Sequence, residues 1–180
     1  FYPVGMDQRD ELLLALVEKT GFDSMMVFTR TKKEADALLV RIQDIEGTRP
    51  TALHSDIKQS DRTKALQGFR DGTFSIIVAT DIAARGLDIS GVTHVINHRV
   101  PENPEDYVHR IGRTGRAQQE GDAFTILTAD ELENAAAVEH YVGQKIERRK
   151  LDDFDYNYTA LLDDKPAAPL RRRRPPKRRR

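Results

Sequence analysis

Short apolar runs and amphipathic segments alternate along the chain from about residue 24 to residue 150. The short runs predict buried strands, because they are apolar nearly throughout, as expected of strands covered on both faces. The segments between them have helical spacing and are bounded by capping residues and glycines. Strands that alternate with helices of roughly 10–15 residues form βαβ units. The sequence therefore predicts the α/β class, with a doubly wound parallel sheet flanked by helices.

The predicted elements have definite bounds. The predicted strands cover 24–29, 50–53, 74–79, 93–98 and 123–127. The predicted helices cover 7–20, 31–47, 56–72, 104–111 and 128–143. Three of these helices begin at a capping pair, in which a carboxyl or amide side chain stands three residues after the first capping residue. These pairs are Thr31 with Glu34, Asp56 with Gln59, and Thr128 with Glu131.

The periodic pattern stops near residue 150, which divides the chain into three parts. Residues 1–150 are predicted to form one domain, and 151–170 an acidic, proline-containing linker that partly packs on it. Residues 171–180 contain seven Arg and one Lys, so they are predicted to be a disordered basic tail. Because the whole chain has 29 basic and 29 acidic residues, the chain without this tail carries a net charge of −8. This asymmetry indicates a polyanionic partner.

Composition excludes several classes of protein. The chain contains no cysteine, which excludes a disulfide scaffold and a thiolate-bound metal, and fits a reducing compartment. Its longest purely apolar run, 12–17, is far shorter than the roughly 20 residues that cross a bilayer. No cationic leader opens the sequence. We therefore expect a soluble, cytoplasmic protein with no membrane partner, and the initial Phe1 indicates a fragment of a longer chain.

Polar side chains follow four of the five predicted strands, and in one case they come after a further loop. Residues 30–32, 54–56, 80–88 and 107–116 combine hydroxyls, cations and glycines. In a parallel α/β sheet, ligands bind beyond the carboxyl ends of the strands. Backbone N–H groups and helix dipoles at this edge favour anions, so the edge is predicted to bind phosphates.

Three arginines spaced three apart form the densest cationic feature of this edge. Positions i and i+3 share one face of a helix, so Arg110, Arg113 and Arg116 could converge on one anion. The alternative is a solvated basic helix face held by ion pairs to nearby carboxylates, namely Glu102, Glu105 and Asp106. The spacing alone does not choose between these interpretations.

Four segments resemble, in family order, motifs of the DEAD-box RNA helicases. VFTRTK (27–32) resembles motif IV, and the segment 59–62, with Gln59 and Arg62, resembles the QxxR element. ATDIAARGLDI (79–89) resembles motif V, and YVHRIGRTGR (107–116) resembles motif VI. The resemblance covers roughly residues 1–150, implies a RecA-like sheet, and includes a weaker similarity to the RhlE-like bacterial branch.

Other motifs of these helicases are absent from the sequence. The sequence contains no GxxxxGK[ST] phosphate loop, no Asp-Glu-Ala-Asp tetrapeptide and no Ser-Ala-Thr element, which belong to the first lobe of such enzymes. The chain is thus similar to the second RecA-like lobe alone, with half of an ATP site and half of an RNA groove. The implied partners are RNA and the N-terminal lobe, which would hold the Mg²⁺ of ATP. Alone, the chain is expected to lack ATPase activity.

The resemblance assigns roles around the nucleotide. Arg113 and Arg116 match the catalytic arginines that reach the γ-phosphate, a task that suits a planar, permanently charged guanidinium. Asp88 matches the carboxylate that binds the ribose hydroxyls, with Gly86 beside it.

The remaining roles concern RNA and the contact between lobes. His109 and Arg110 resemble residues that couple the nucleotide cleft to the other lobe. Four positions match contacts to the RNA sugar-phosphate backbone, which would make binding largely independent of sequence. These are Thr31, Arg62, Thr80 and Gly86.

Two other functions remain open at this point. A non-enzymatic RNA-binding or RNA-chaperone module would bind mainly through the tail, but it has no evident need for arginines matched to a γ-phosphate. A DNA-translocating relative is disfavoured by His109, since that histidine is typical of the DEAD-box form.

Weaker candidates are interpreted as structural, and no metal site is predicted. His94 and His98 lie four apart on a strand but have no third ligand. Asp152, Asp153 and Asp155 lack the glycine and distal glutamate of a calcium loop. For two tyrosines, packing of the linker is favoured over stacking on bases. These are Tyr156 and Tyr158.

Overall fold

A parallel sheet of six strands lies at the centre of the computed structural model, which describes residues 1–87, 89–115 and 121–157. The strands are β1 (Tyr2–Pro3), β2 (Met25–Thr29), β3 (Pro50–Leu53), β4 (Ile76–Thr80), β5 (His94–Asn97) and β6 (Asp122–Leu127). Their order is β1-β6-β5-β2-β4-β3, and every neighbouring pair is parallel.

Helices cover both faces of this sheet, so the doubly wound α/β prediction is confirmed. They are α1 (Arg9–Lys19), α2 (Lys32–Gln43), α3 (Gln59–Arg70), α4 (Asp81–Ala84), α5 (Pro104–Ile111) and α6 (Leu132–Val142). Short 3₁₀ turns at Met6–Gln8 and Ala129–Glu131 precede α1 and α6. None of the helices in the described ranges is long and apolar enough to span a bilayer.

Alternation along β2 divides the core between the two faces. Met25 and Val27 pack with buried residues of α1 and α2, whereas Met26 and Phe28 pack on the opposite face, with Ala65 of α3. Successive side chains of a strand point to opposite faces, which explains this division. β2 is completely buried, as its apolar sequence predicts.

Most predicted bounds are within a few residues of the structure, with three corrections. The capping boxes at Thr31 and Thr128 are present. The Asp56 pair is wrong: α3 begins after Lys58, whose extended backbone delays the helix, and the Asp56 carboxylate instead accepts from Lys32 at 2.6 Å. β1 and α4 were not predicted, because elements of two and four residues are too short to show periodicity.

The chain after α6 folds back onto the domain. Tyr156 is half-buried against the α1 face of the core, which confirms the predicted packing of this part of the linker. Tyr158, the rest of the linker to 170 and the tail 171–180 lie outside the described residues. The predicted division of the chain at residue 150 stays a prediction.

Glu139 holds the start of this returning segment. Its side chain is buried and accepts hydrogen bonds from Arg148, from Lys145 Nζ at 2.8 Å and from the Ile146 backbone N–H at 3.0 Å. Burial alone would raise the pKa of Glu139, but these bonds, led by that from Arg148, lower the pKa to about 2. The carboxylate is therefore stabilising only while it is ionised.

Acid is expected to remove this stabilisation. Because the folded-state pKa of Glu139 lies below its ordinary 4.5, its contribution is complete above that value and is lost as the pH falls toward about 2. The difference in unfolding free energy between the parent and Glu139→Gln should shrink by about 2 kcal/mol between about pH 6 and about pH 3. Urea denaturation at both pH values measures it, and a gap independent of pH would contradict this role.

Candidate functional site

An open cavity of about 220 Å³ lies at the carboxyl edge of the sheet. β2 and β4 are neighbours, with Thr29 opposite Thr80, so the segments that follow them meet at this edge. The cavity is lined mainly by residues that follow β4 and by those of α5: Phe28, Asp81, Ala84, Arg85, Gly86, Asp106, His109, Arg110 and Arg113.

Arg110 is buried and forms two hydrogen bonds to Asp81. Its Nε and Nη2 donate to the two carboxylate oxygens, each at 2.7 Å. Its Nη1 donates to Asn97 Oδ1 at 3.1 Å and to the Arg99 carbonyl at 3.2 Å, and the guanidinium lies 5.3 Å from the Phe28 ring centroid. With its side chain 5% exposed and these donors engaged, Arg110 ties α5 to α4 and β5.

Arg113 lies beyond the end of α5 and holds a different segment. α5 ends at Ile111, and Arg113 Nη1 donates to the carbonyl oxygens of Leu87 and Ile89, at 2.8 and 3.1 Å. These two carbonyls flank Asp88 in sequence, so Arg113 braces the loop that carries this residue. Asp88 itself lies outside the described residues.

The structure corrects both interpretations of the spaced arginines, for Arg110 and in part for Arg113. Convergence of Arg110 and Arg113 on one anion is wrong in this structure, because the helix ends between them and each guanidinium has its own partners. Arg116 lies outside the described residues. A solvated helix face held by the three carboxylates is also wrong for Arg110, since Glu102 pairs with Arg30, Asp106 with Arg85, and Glu105 belongs to the first turn of α5.

Two further residues that line the cavity are His109 and Gly86. His109 is exposed on α5, one residue before the buried Arg110. Gly86 has φ +73°, a left-handed conformation in which a side chain would be strained, and a Cβ there would meet no atom within 4 Å. The chain turns at Gly86 and leaves open space that a ligand could enter.

The residues matched to RNA contacts lie close together along this edge. Thr31 caps α2, and its hydroxyl accepts from the Glu34 N–H at 3.2 Å. Arg62 on α3 donates from Nη2 to the Ala83 carbonyl of α4 at 3.2 Å, which places it beside the helix that begins after Thr80. The Arg62 Nε is buried without a hydrogen-bond partner.

Two charged residues of this edge that hold candidate site residues were not predicted. Asp81 received no role, although it stands in motif V, because its partner Arg110 is 29 residues away. Arg99 Nε donates to Glu34 Oε1 at 2.7 Å, while Glu34 Oε2 accepts from the Thr31 N–H at 3.1 Å. Burial would raise the pKa of Glu34, but the hydrogen bond and charge of Arg99 outweigh it and lower the pKa. No sequence signal pointed to Arg99.

The described residues contain no group of three side chains that could hold a metal ion. His98 Nε2 is hydrogen-bonded to Asp10 Oδ1 at 2.7 Å, whereas His94 lies against Thr93 and the Phe124 ring. The two histidines therefore have separate structural partners, in agreement with the packing interpretation.

The sequence matches the family described as helicase conserved C-terminal domain over residues 8–118. The chain is 40% identical to the ATP-dependent RNA helicase RhlB of Pectobacterium carotovorum over 177 residues, covering 98% of this chain and 39% of that protein. It is also 40% identical to the DEAD-box ATP-dependent RNA helicase RhpA of Helicobacter pylori over 157 residues, 87% of this chain and 32% of that protein. The chain thus spans about a third of the length of these relatives.

Solved structures show the same fold. The E. coli DEAD-box protein SrmB, bound to regulator of ribonuclease activity A, superposes with a TM-score of 0.78 at 30% identity, covering 84% of this chain and 89% of that one. A DEAD box protein from Methanococcus jannaschii gives a TM-score of 0.75 at 37% identity, over 83% of this chain and 41% of that one. The RecA-like fold implied by the motifs is confirmed.

Proposed function

Because the chain belongs to the helicase conserved C-terminal domain family, in its DEAD-box group, we propose that it acts as the second motor lobe of an ATP-dependent RNA helicase. The proposal is carried by one observation. The cavity that Arg113 and Gly86 line adjoins the residues matched to RNA contacts, at one edge of the sheet. A nucleotide and an RNA strand bound there would share the short helix α4.

The residues present fit a nucleotide polyphosphate. Arg85, His109 and Arg113 bring cationic or hydrogen-bonding groups to the cavity, and Gly86 leaves room for close approach. Arg113 and Arg116 would hold the γ-phosphate and Asp88 the ribose, while the Mg²⁺ ligands belong to the other lobe. Hydrolysis of ATP supplies the energy of the cycle.

The chain's own residues connect the nucleotide to RNA. Arg110 joins α5, which carries His109 toward the cleft, to Asp81, the first residue of α4. α4 follows directly on Thr80, and its Ala83 carbonyl accepts from Arg62. A displacement of α5 when the lobes close would therefore be transmitted through one buried ion pair to the RNA-contacting residues. A pure RNA-binding module gives no reason for this arrangement.

We also propose that RNA binds through its sugar-phosphate backbone and that the protein is cytoplasmic. Hydroxyl, guanidinium and backbone N–H groups at the edge suit phosphate and sugar oxygens, which do not report sequence. A chain without cysteine suits a reducing compartment.

The purified chain is expected to show no ATPase activity above background, with or without RNA. The phosphate loop and the Mg²⁺-binding carboxylates are missing from its sequence. Phosphate release measured with the chain alone, and again after fusion to its N-terminal lobe, tests the proposal. RNA-stimulated turnover should appear only in the fusion, and robust turnover by the isolated chain would overturn the half-site assignment.

Deleting residues 171–180 is expected to weaken RNA binding without destabilising the fold. The remaining chain has a net charge of −8 and would repel RNA at long range. If the tail neutralises about four to six phosphates, the slope of log K against log salt should flatten by roughly 3 to 4 units. Fluorescence anisotropy with single-stranded RNA measures the slope, and the melting temperature should stay nearly unchanged.

A tail of the same composition in scrambled order provides the control. It should restore binding, because phosphate contacts do not depend on the order of the cations. A scrambled tail that fails where the native tail succeeds would show that the segment is a specific docking motif.

A further inference from the structure

Residues 150–157, which we call the strap, begin at the amino edge of the sheet. Just before the strap, the Arg149 N–H donates to the carbonyl of Phe1, the residue that precedes β1, at 2.8 Å. Within the strap, the Asp152 carbonyl accepts from Lys19 Nζ, at the C-terminal end of α1, at 2.5 Å. Because α1 runs antiparallel to the strands, its C-terminal end lies at the amino edge, away from the candidate site.

The strap ends at the opposite edge. Gln8, which follows β1 and directly precedes α1, holds it through both atoms of its side-chain amide. Gln8 Nε2 donates to the Asp155 carbonyl and Gln8 Oε1 accepts from the Asn157 N–H, each at 2.7 Å. Residues that follow a strand of this parallel sheet lie at its carboxyl edge. Asn157 is therefore at the same edge as the candidate site.

Packing fixes this path along α1. The rings of Phe154 and Tyr156 contact each other edge to face, with centroids 4.8 Å apart, and both pack against the core that includes α1. The Tyr156 hydroxyl accepts from the Leu151 N–H at 2.9 Å, which closes the strap on itself. The strap is an ordered element that carries the chain from the amino edge to the carboxyl edge.

The surface where the strap ends carries exposed carboxylates. Asp7 accepts from Asn157 Nδ2 at 3.4 Å, and three further carboxylates at this end are at least 40% exposed: Asp10, Glu11 and Asp130. Arg41 pairs with two of them, Asp10 and Glu11, so the carboxylates outnumber this half-exposed cation.

The exposed or half-exposed cations of the same edge lie around β2 and β4: Arg30, Lys32, Arg62 and Arg85. Three of them pair with carboxylates, namely Arg30 with Glu102, Lys32 with Asp56 and Arg85 with Asp106, so the charge there is mixed. An RNA strand held by these cations would meet more repulsion toward the β1 end.

The sequence after Asn157 has the opposite charge. Residues 158–180 contain nine basic and two acidic residues, and the first arginine of the tail is Arg171. The thirteen residues between them span at most about 45 Å when extended. The three strand spacings from β1 to β2 amount to only about 14 Å. The arginines can therefore reach an RNA strand held by the cations around β2 and β4.

We propose that the strap delivers the basic tail to the acidic end of the carboxyl edge, where the tail and the groove hold one continuous RNA strand. The proposal rests on the proposed function and adds a location to it. The tail cations would offset the carboxylates at the β1 end, so that RNA could extend beyond the cations around β2 and β4. A tail that began at the amino edge would start at the opposite edge of the sheet from the candidate site.

A proximity experiment tests the location directly. Because the chain has no cysteine, Asn157→Cys and Asp152→Cys each give one labelling site, and both positions are exposed and lie on the strap. The probes are two oligouridylates of about ten nucleotides, with a quencher at either the 5′ or the 3′ end. At least one should quench the label at 157 strongly, and neither should quench the label at 152 to the same extent. Equal quenching at both positions would overturn the proposal.

A variant that moves the start of the tail to the amino edge, the relocation variant, tests whether the location of the tail affects RNA binding. Deleting 151–157 places residues 158–180 directly after Lys150, at the amino edge, whereas deleting 158–164 removes the same number of residues and keeps the exit at Asn157. The relocated tail should bind the short oligouridylate about threefold or more weakly than the control deletion, since the effective concentration of the tail at the groove falls. Both should bind a long polyuridylate similarly.

The outcomes separate the two proposals. If the intact chain does not bind RNA, the proposed function fails. If the intact chain binds and the two deletions are equally affected, the function survives and the strap proposal is overturned. Circular dichroism and the melting temperature show whether the relocation variant folds, and the proximity experiment decides the question if it does not.

Discussion

Replacing Arg116 by alanine, in an enzyme that joins this chain to its N-terminal lobe, is expected to lower RNA-stimulated ATP turnover by on the order of 10³-fold or more. An arginine aimed at the γ-phosphate stabilises charge that develops in the transition state. Nucleotide affinity should therefore change much less than turnover. Steady-state phosphate release and nucleotide titration measure the two effects separately.

Arg113→Ala is expected to reduce turnover similarly, with an additional effect. In the structure Arg113 braces the loop on either side of Asp88 through the Leu87 and Ile89 carbonyls. Its loss should thus also weaken nucleotide binding, which Arg116→Ala should not do.

A surface arginine provides the control for both variants. Arg41 pairs with exposed carboxylates of α1, away from the cavity, so Arg41→Ala should leave turnover unchanged. If the alanine variants at 113 and 116 both keep turnover within about threefold of the parent, these arginines only tie structural elements together.

Arg110→Ala is expected to lower the free energy of unfolding of the isolated chain by about 3 kcal/mol, the lower end of the range for breaking a buried ion pair, because Arg110 is buried while Asp81 is 26% exposed. The variant removes the donors to the Asp81 carboxylate and to the buried Asn97 Oδ1. Urea denaturation of the chain alone measures this loss, and no second lobe is needed. Arg110→Lys should recover only part of it, because an ammonium cannot form the two parallel bonds.

Arg85→Ala is the matched control for this prediction. Arg85 also pairs with an aspartate, Asp106, at 2.6 Å, but its side chain is 61% exposed. Exposed pairs contribute at most about 1 kcal/mol, so this variant should be nearly as stable as the parent. Equal losses for Arg85→Ala and Arg110→Ala would show that burial does not distinguish the two pairs.

Local pattern was sufficient to predict most of the fold. The apolar run at β4 and the Thr31–Glu34 capping box were predicted correctly, because strand burial and helix capping depend on residues close in sequence. The order of the four motifs also indicated the second RecA-like lobe. Their position at the carboxyl edge of the sheet was predicted from the rule that ligands of parallel sheets bind at that edge. The late start of α3 shows where local pattern is insufficient. Asp56 does not cap this helix and instead binds Lys32, which is 24 residues away in sequence.

The tertiary structure alone decided which charged groups meet. The spacing of Arg110 and Arg113 suggested one shared anion, yet packing gives one to Asp81 and the other to two backbone carbonyls. Likewise, composition showed an acidic linker before a basic tail, but only the contacts of Gln8 and Tyr156 show the path of the linker as far as Asn157. The physical reason is that periodicity describes neighbours along the chain. Ion pairs and paths across the surface depend instead on how separate elements pack.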